Sequence, residues 1–415
     1  MSRSHSSGKL TAMIHADTPP DGIVVVTIDR LPAWMLSAYG CAWVAMPHLD
    51  ALAGRGLVLD RLIATSDDPL ATLRQFAGAI PSSLEAWSVM AAAADHRWPV
   101  AIVTDDAALA AVPQVPADVH HVPTVAATEL ARTENETSLG RLFTAASDLI
   151  AQGKHRLVWC HASSLGITWD APVDLRDRYL DPDDAPPPPG ANVPDITIGP
   201  ETDPDLAVSI RHVFAGQLSL LDDCIGQLAD AIAARRGAWT ILIAGVRGLP
   251  LGLHGRIGCG PLPPYGELVH LPAVLVDHRG RMAAQRYGGL LVPDDLGTTL
   301  LDLLGRHPAA PAHPQHGQSL TGLLDRWHGP NRDRVISTAA TGTGVATPAW
   351  HLVVPTNAGP TAHPGHLFAK PDDAFELCDV ADRCPAVAEE LATLATGDPA
   401  RAWIASLSSE SVHGL

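Results

Sequence analysis

The stretch DGIVVVTIDRLPAWMLSAYG, residues 21–40, decides the fold. Ile23 to Thr27 are all apolar or β-branched and read as a buried strand. Asp29 and Arg30 follow, and Pro32 then opens a helix. In an open α/β sheet, the junction just past the carboxyl end of a strand is where ligands bind. A carboxylate delivered there is suited to a metal or a substrate. An arginine immediately after it is not part of that design.

Working outward, strand-like and helix-like segments alternate over most of the chain. Strands are expected at 23–28, 57–63, 99–104, 156–160, 239–244 and 272–276, and helices at 47–54, 82–94, 138–152, 205–235 and 293–304. This rhythm predicts an α/β fold, a large, mainly parallel sheet with helices on both faces. The longest helical pattern, within 204–236, repeats its apolar residues at helix spacing (Ile210, Val213, Phe214, Leu218, Leu221, Ile225, Leu228), so most of them are core. LDPDDAPPPPGANVPDITIGPETD, residues 180–203, has four consecutive prolines and reads as an exposed loop without regular structure. Beyond RHPAAPAHPQHGQSL, the short strand-like phrases RVISTAA, HLVVP and HLFAK and a helical segment from 385 predict a small C-terminal α+β subdomain. The expected division is a flexible N-terminus at 1–20, an α/β domain at 21–305 and the small subdomain at 306–415.

Composition narrows the function classes. With 46% hydrophobic and 18% charged residues, the chain is of ordinary globular type. Its 28 basic against 45 acidic residues give a net charge of −17, which argues against a general nucleic-acid binder. No apolar run is long enough for a signal peptide or a membrane span, so a cytoplasmic location without membrane association is expected. The six cysteines (Cys41, Cys160, Cys224, Cys259, Cys378, Cys384) form no CxxC pair, which suits reduced thiols better than a disulfide framework or a zinc site.

Five phrases, in order, resemble the sulfatases of the alkaline-phosphatase superfamily, and the resemblance covers nearly the whole chain. The opening strand resembles one in which that family carries two adjacent calcium-binding aspartates. MPHLDALAGRGLVLDRLIATS, HASSLGITWDAP, AGVRGLPLGLHGRIGCG with YGELVHLPAVL, and the closing FELCDVADRCPAVAEEL resemble further family segments. The resemblance implies a sulfatase-like fold and, in a working member, hydrolysis of sulfate esters with a divalent cation that neutralises sulfate charge.

The residues that such chemistry needs are replaced. Calcium takes six or more oxygen ligands, many of them carboxylates. Of the family's ligand positions only Asp29 is retained; the others fall on Arg30, Val246 and Arg247, so no metal and no cofactor is expected. The nucleophile position falls on Pro69 or Leu70, with Arg74 as the motif's arginine and Thr72 as the nearest hydroxyl, a poor nucleophile without an activating metal or base. The family's loop lysine and histidine fall near Asp105 and Asp106, which read as helix caps. A family histidine is replaced by Gly166 and a family lysine by Cys259. His161, His254, Tyr265 and Glu267 match scaffold positions.

The reading is thus a divergent sulfatase-like protein without metal-dependent hydrolysis, whose vestigial pocket comprises Asp29, Arg30, Arg74, His161, Val246, Arg247, His254 and Cys259. Arg30 and Arg247 either replace the cation beside Asp29 or, with Arg74, bind a small sulfated or phosphorylated ligand. The alternatives are an ester hydrolase using Thr72 or Ser66 as nucleophile, and a scaffold for another protein. Convergence of Asp67, Asp68 or Asp105 on Asp29 would reopen the metal site.

Overall fold

The computed structural model describes residues 19–78, 88–112, 115–124, 127–183, 185–306, 317–326, 329–356 and 364–396. The N-terminal segment expected to be flexible lies almost wholly outside these residues, as does the first part of the helix expected at 82–94, of which Ser88–Asp95 is helical.

The main sheet is built from β1 (Gly22–Asp29), β2 (Leu57–Leu59), β3 (Val100–Thr104), β4 (Asp118–His121), β5 (Leu157–Ala162), β6 (Trp239–Arg247), β7 (Ala273–Val276) and β8 (Gln285–Tyr287). Their order across the sheet is β8-β2-β7-β6-β1-β5-β3-β4. All neighbours are parallel except β7, which runs antiparallel to both β2 and β6. β1 lies between β5 and β6, and every one of its residues is buried. That is why it reads as an unbroken apolar run: a strand covered on both faces has no face to leave polar. Its side chains divide between two cores, Ile23 and Val25 into one and Val24, Val26 and Ile28 into the other.

The helices cover these faces: α1 (Pro47–Arg55), α2 (Pro69–Phe76), α3 (Ser138–Gln152), α4 (Pro204–Ala233) and α5 (Pro293–Leu303). α3 begins on Thr137, whose hydroxyl accepts from the Gly140 amide, and ends at Gly153 in the left-handed conformation. α4 starts with Pro204 after Asp203, whose side chain accepts from the Asp205 amide. Among the described residues, no helix is long and apolar enough to cross a membrane.

A second sheet near the C-terminus is an antiparallel meander of β9 (Val335–Ala339), β10 (Gly342–Ala346), β11 (Trp350–Pro355) and β12 (His366–Ala369). α6 (Pro385–Thr396) packs on it. The small sheet is tied to the main body by the Ser337 hydroxyl, which donates to the Ala64 carbonyl, and by a bridge from Ser66 to Thr338.

Two expectations need correction. The strand expected at 57–63 is interrupted by a turn at Asp60 and Arg61; Leu62–Ile63 pairs separately with His270–Leu271. The proline-rich segment 180–203 is not wholly irregular, because Ile196–Thr197 pairs with Arg256–Ile257, where no proline removes a donor.

Candidate functional site

β1 ends in a register shift between Ile28 and Asp29, which sets Asp29 directly against Arg247 of β6. Asp29 is 5% exposed. Both of its oxygens are taken by that one arginine: Nε donates to Oδ1 at 2.8 Å and Nη2 to Oδ2 at 2.9 Å. A bidentate guanidinium–carboxylate pair is among the strongest charge-assisted contacts available to side chains. Burial alone would lower the Arg247 pKa, but the Asp29 charge and its hydrogen bonds overcome that and hold it above the ordinary arginine value. Arg247 Nη1 also donates to the Asp67 carbonyl at 3.3 Å.

Arg30 makes no hydrogen bond to Asp29, although the charges of Asp29 and Arg247 both act on it. Its backbone is left-handed, with φ of 61°, a conformation that non-glycine residues seldom adopt. The side chain is turned to the chain around Cys259, where Nη2 donates to the Cys259 carbonyl at 3.3 Å, and its buried Nε has no hydrogen-bond partner. Burial lowers its pKa, as does the nearby charge of Arg247. Gly166 belongs to the same pocket. A Cβ there would lie 3.1 Å from Arg30 Cγ and 3.5 Å from Cys259 Sγ, so the stem of Arg30 occupies the space that a side chain at 166 needs. The Cys259 thiol donates to the Gly166 carbonyl at 3.4 Å, and burial pushes its pKa up despite both arginines.

The acidic residues that could have rebuilt a metal site are engaged elsewhere. Asp68 is the N-cap of α2, accepting from the Leu70 amide. Asp106 caps the short helix Ala107–Ala110, as expected. Asp105 does not cap that helix; it accepts from the amides of Ser163 and Ser164 and from the Ser163 and Thr124 hydroxyls, fixing the loop after β5. Asp67 meets Arg247 through its main chain, and its charge adds only a minor upward pull on the two arginines.

The remaining sequence candidates, Arg74 apart, are interior scaffold. Thr72 is buried inside α2 with its hydroxyl donating back to the Asp68 carbonyl one turn earlier, at 3.3 Å. Ser66 Oγ accepts from the Asp68 amide. Arg74 is exposed in the last turn of α2, and no hydrogen bond or ion pair joins it to Asp29, Arg30 or Arg247. His161 is fully buried on β5 with Nδ1 3.0 Å from the Thr27 hydroxyl, which also accepts from Trp159 Nε1. Val246 is core. His254 stacks on Tyr265 at 3.8 Å, with Nδ1 2.9 Å from Glu267 Oε1 and Nε2 3.1 Å from the Glu376 carbonyl. Burial would lower the His254 pKa; the Glu267 carboxylate outweighs it and raises it.

Sequence reasoning missed a group suited to a cation elsewhere in the fold: His48, Asp222 and Asp223. Each offers one ligand atom, and these atoms lie within 4.8 Å of one another. Asp222 is already committed, since its two oxygens accept from the His48 and Leu49 amides at the start of α1. The only sequence signal was a pair of adjacent aspartates on a long helix.

No protein-family model matches the chain, and no curated protein matches it in sequence. Solved structures do match in fold. A phosphonate monoester hydrolase of Agrobacterium radiobacter superposes with a TM-score of 0.68 at 16% identity, over 93% of this chain and 96% of its own. One from Silicibacter pomeroyi gives 0.65 at 15%, over 89% and 93%. A 2-O GAG sulfatase gives 0.65 at 14%, over 93% of each chain. The chain has the fold shared by sulfatases and phosphonate monoester hydrolases of the alkaline-phosphatase-like superfamily.

Proposed function

We propose that this chain is a sulfatase-fold protein without metal-dependent ester hydrolysis, and that its remaining pocket binds a small oxyanion through Arg30. One observation carries the first part: the carboxylate at the end of β1 has both oxygens occupied by Arg247. A calcium ion needs several converging oxygens, and among the described residues no second carboxylate contacts Asp29. The guanidinium supplies the positive charge without which the buried carboxylate would be costly.

The second part rests on what Arg247 leaves over. Arg30 is buried, carries a permanent charge, and contacts no carboxylate. A sulfate or phosphate group reaching its guanidinium would supply the acceptors that it lacks. The left-handed backbone at Arg30 is the kind of strain that accompanies a functional constraint. The hydrolase alternative finds no support, because the Thr72 hydroxyl is bonded inside its own helix and Ser66 is part of a turn. Titration calorimetry with sulfate and phosphate tests the binding: heat that disappears in Arg30→Met is expected, and no heat in the wild type overturns it. Hydrolysis of 4-nitrophenyl sulfate or phosphate that a chelator abolishes would overturn the first part.

A further inference from the structure

A cavity of about 450 Å³ lies between the main sheet's edge and the C-terminal sheet, away from Asp29 and Arg30. This is within the usual size of a small-molecule site. Ile63, Val269, Leu290 and Pro348 supply apolar wall, and Arg61, His270, His351, Lys370 and Glu376 supply the polar groups.

Most of those polar groups are spent. Glu376, 3% exposed, receives His351 Nδ1 at 2.6 Å, Lys370 Nζ at 2.9 Å and the Gly266 amide at 2.7 Å. Lys370 gives its other bonds to the Asp373 and Ala374 carbonyls. His270 Nε2 is 2.7 Å from the Asp60 carbonyl, and burial lowers its pKa.

One group is not spent. His351 is no candidate, because its Nε2 is sealed from solvent beside Gly344. Arg61 donates from Nε to the Gly288 carbonyl and from Nη1 to the Pro348 carbonyl, while Nη2 has no partner among the described residues. Neither of those partners is a carboxylate. Asp60 beside it is already paired with Arg286.

We infer that this cavity binds a small carboxylic acid with an apolar body. Its carboxylate would accept from Arg61 Nη2. Apolar walls favour a carboxylate over a phosphate, because a second negative charge would have to be desolvated with only one uncommitted cation to meet it.

Phenylacetate, 4-hydroxyphenylacetate and the neutral 4-ethylphenol, titrated into the full chain by calorimetry, form the test. Both acids are expected to bind, and 4-ethylphenol at least tenfold more weakly. Arg61→Met should reduce acid binding at least tenfold. Since Arg61 also ties two loops, Ala374→Phe on the exposed rim supplies a second variant that should block entry while leaving thermal unfolding unchanged. Arg30→Met should leave acid binding intact, which separates this site from the oxyanion pocket. No binding of either acid, or equal binding in Arg61→Met and Ala374→Phe, overturns the proposal.

Discussion

Two buried carboxylates, Asp29 and Glu376, solve the same problem in different ways. Asp29 sits at the carboxyl edge of the main sheet and is satisfied by one side chain from the adjacent strand. Glu376 sits between the two sheets and gathers donors from His351, Lys370 and the Gly266 amide. Glu376 therefore ties three parts of the chain together, while Asp29 has one side-chain partner, on a strand already paired with its own. The proposed loss of a metal site at Asp29 implies that this carboxylate braces little beyond its own pair.

Removing Glu376 breaks the comparison most forcefully. Glu376→Ala strands a buried lysine, a histidine and an amide at once, and is expected to cost on the order of 3–5 kcal/mol in urea unfolding. Arg247→Met leaves Asp29 buried and unpaired, for about 2–3 kcal/mol, less because the arginine is partly solvated. The double variant Asp29→Asn with Arg247→Met should recover more than half of that loss. If Asp29 braced its surroundings as Glu376 does, the double variant would remain as unstable as the single one.

The pH dependence sharpens the contrast. The His351 and Lys370 charges and the Gly266 amide overcome burial and hold the Glu376 pKa well below the ordinary carboxylate value of 4.5. Its stabilisation is fully present above that value and is lost as pH falls through the folded-state value. His254 works in the opposite sense. Its pKa is raised above 6.5, so its contribution is full below that pH and fades as pH rises through the folded value. Unfolding measured from pH 3 to 9 should show an acid limb that Glu376→Gln flattens and a weaker alkaline limb that His254→Gln removes. The smallest effect is expected for Thr72→Val, under about 1 kcal/mol for one helix-internal hydroxyl, with no change in anion binding.

The fold was legible where burial is two-sided. β1, β3, β5, β6 and β7 are almost entirely buried and read as apolar runs. The edge strands β4 (DVHH, wholly exposed) and β8 (QRY) carry no such signal. β10 (GTGVA) was missed because its glycines mimic a turn. At the site, sequence resemblance put Asp29, Arg30 and Arg247 at one cation position. The pairing of Asp29 with Arg247, across 218 positions, follows from strand register, which no local pattern encodes. Adjacency suggested Arg30 as a partner, but the left-handed turn at that residue carries its side chain to Cys259 instead. Arg74 was drawn in by motif spacing, yet the turn of α2 that buries Thr72 and Leu73 leaves it facing solvent. Glu376 lies in the closing phrase FELCDVADRCPAVAEEL, but its role did not show there, because its partners come from three separate loops and strands.

Calcium titration of the wild type and of Asp29→Asn tests the central claim most directly. Any background from the cluster of His48, Asp222 and Asp223 is common to both proteins, so the quantity of interest is the difference between them. The account predicts identical calorimetric traces, because Asp29 is already neutralised by Arg247. A calcium-binding event present in the wild type and absent in Asp29→Asn would contradict it.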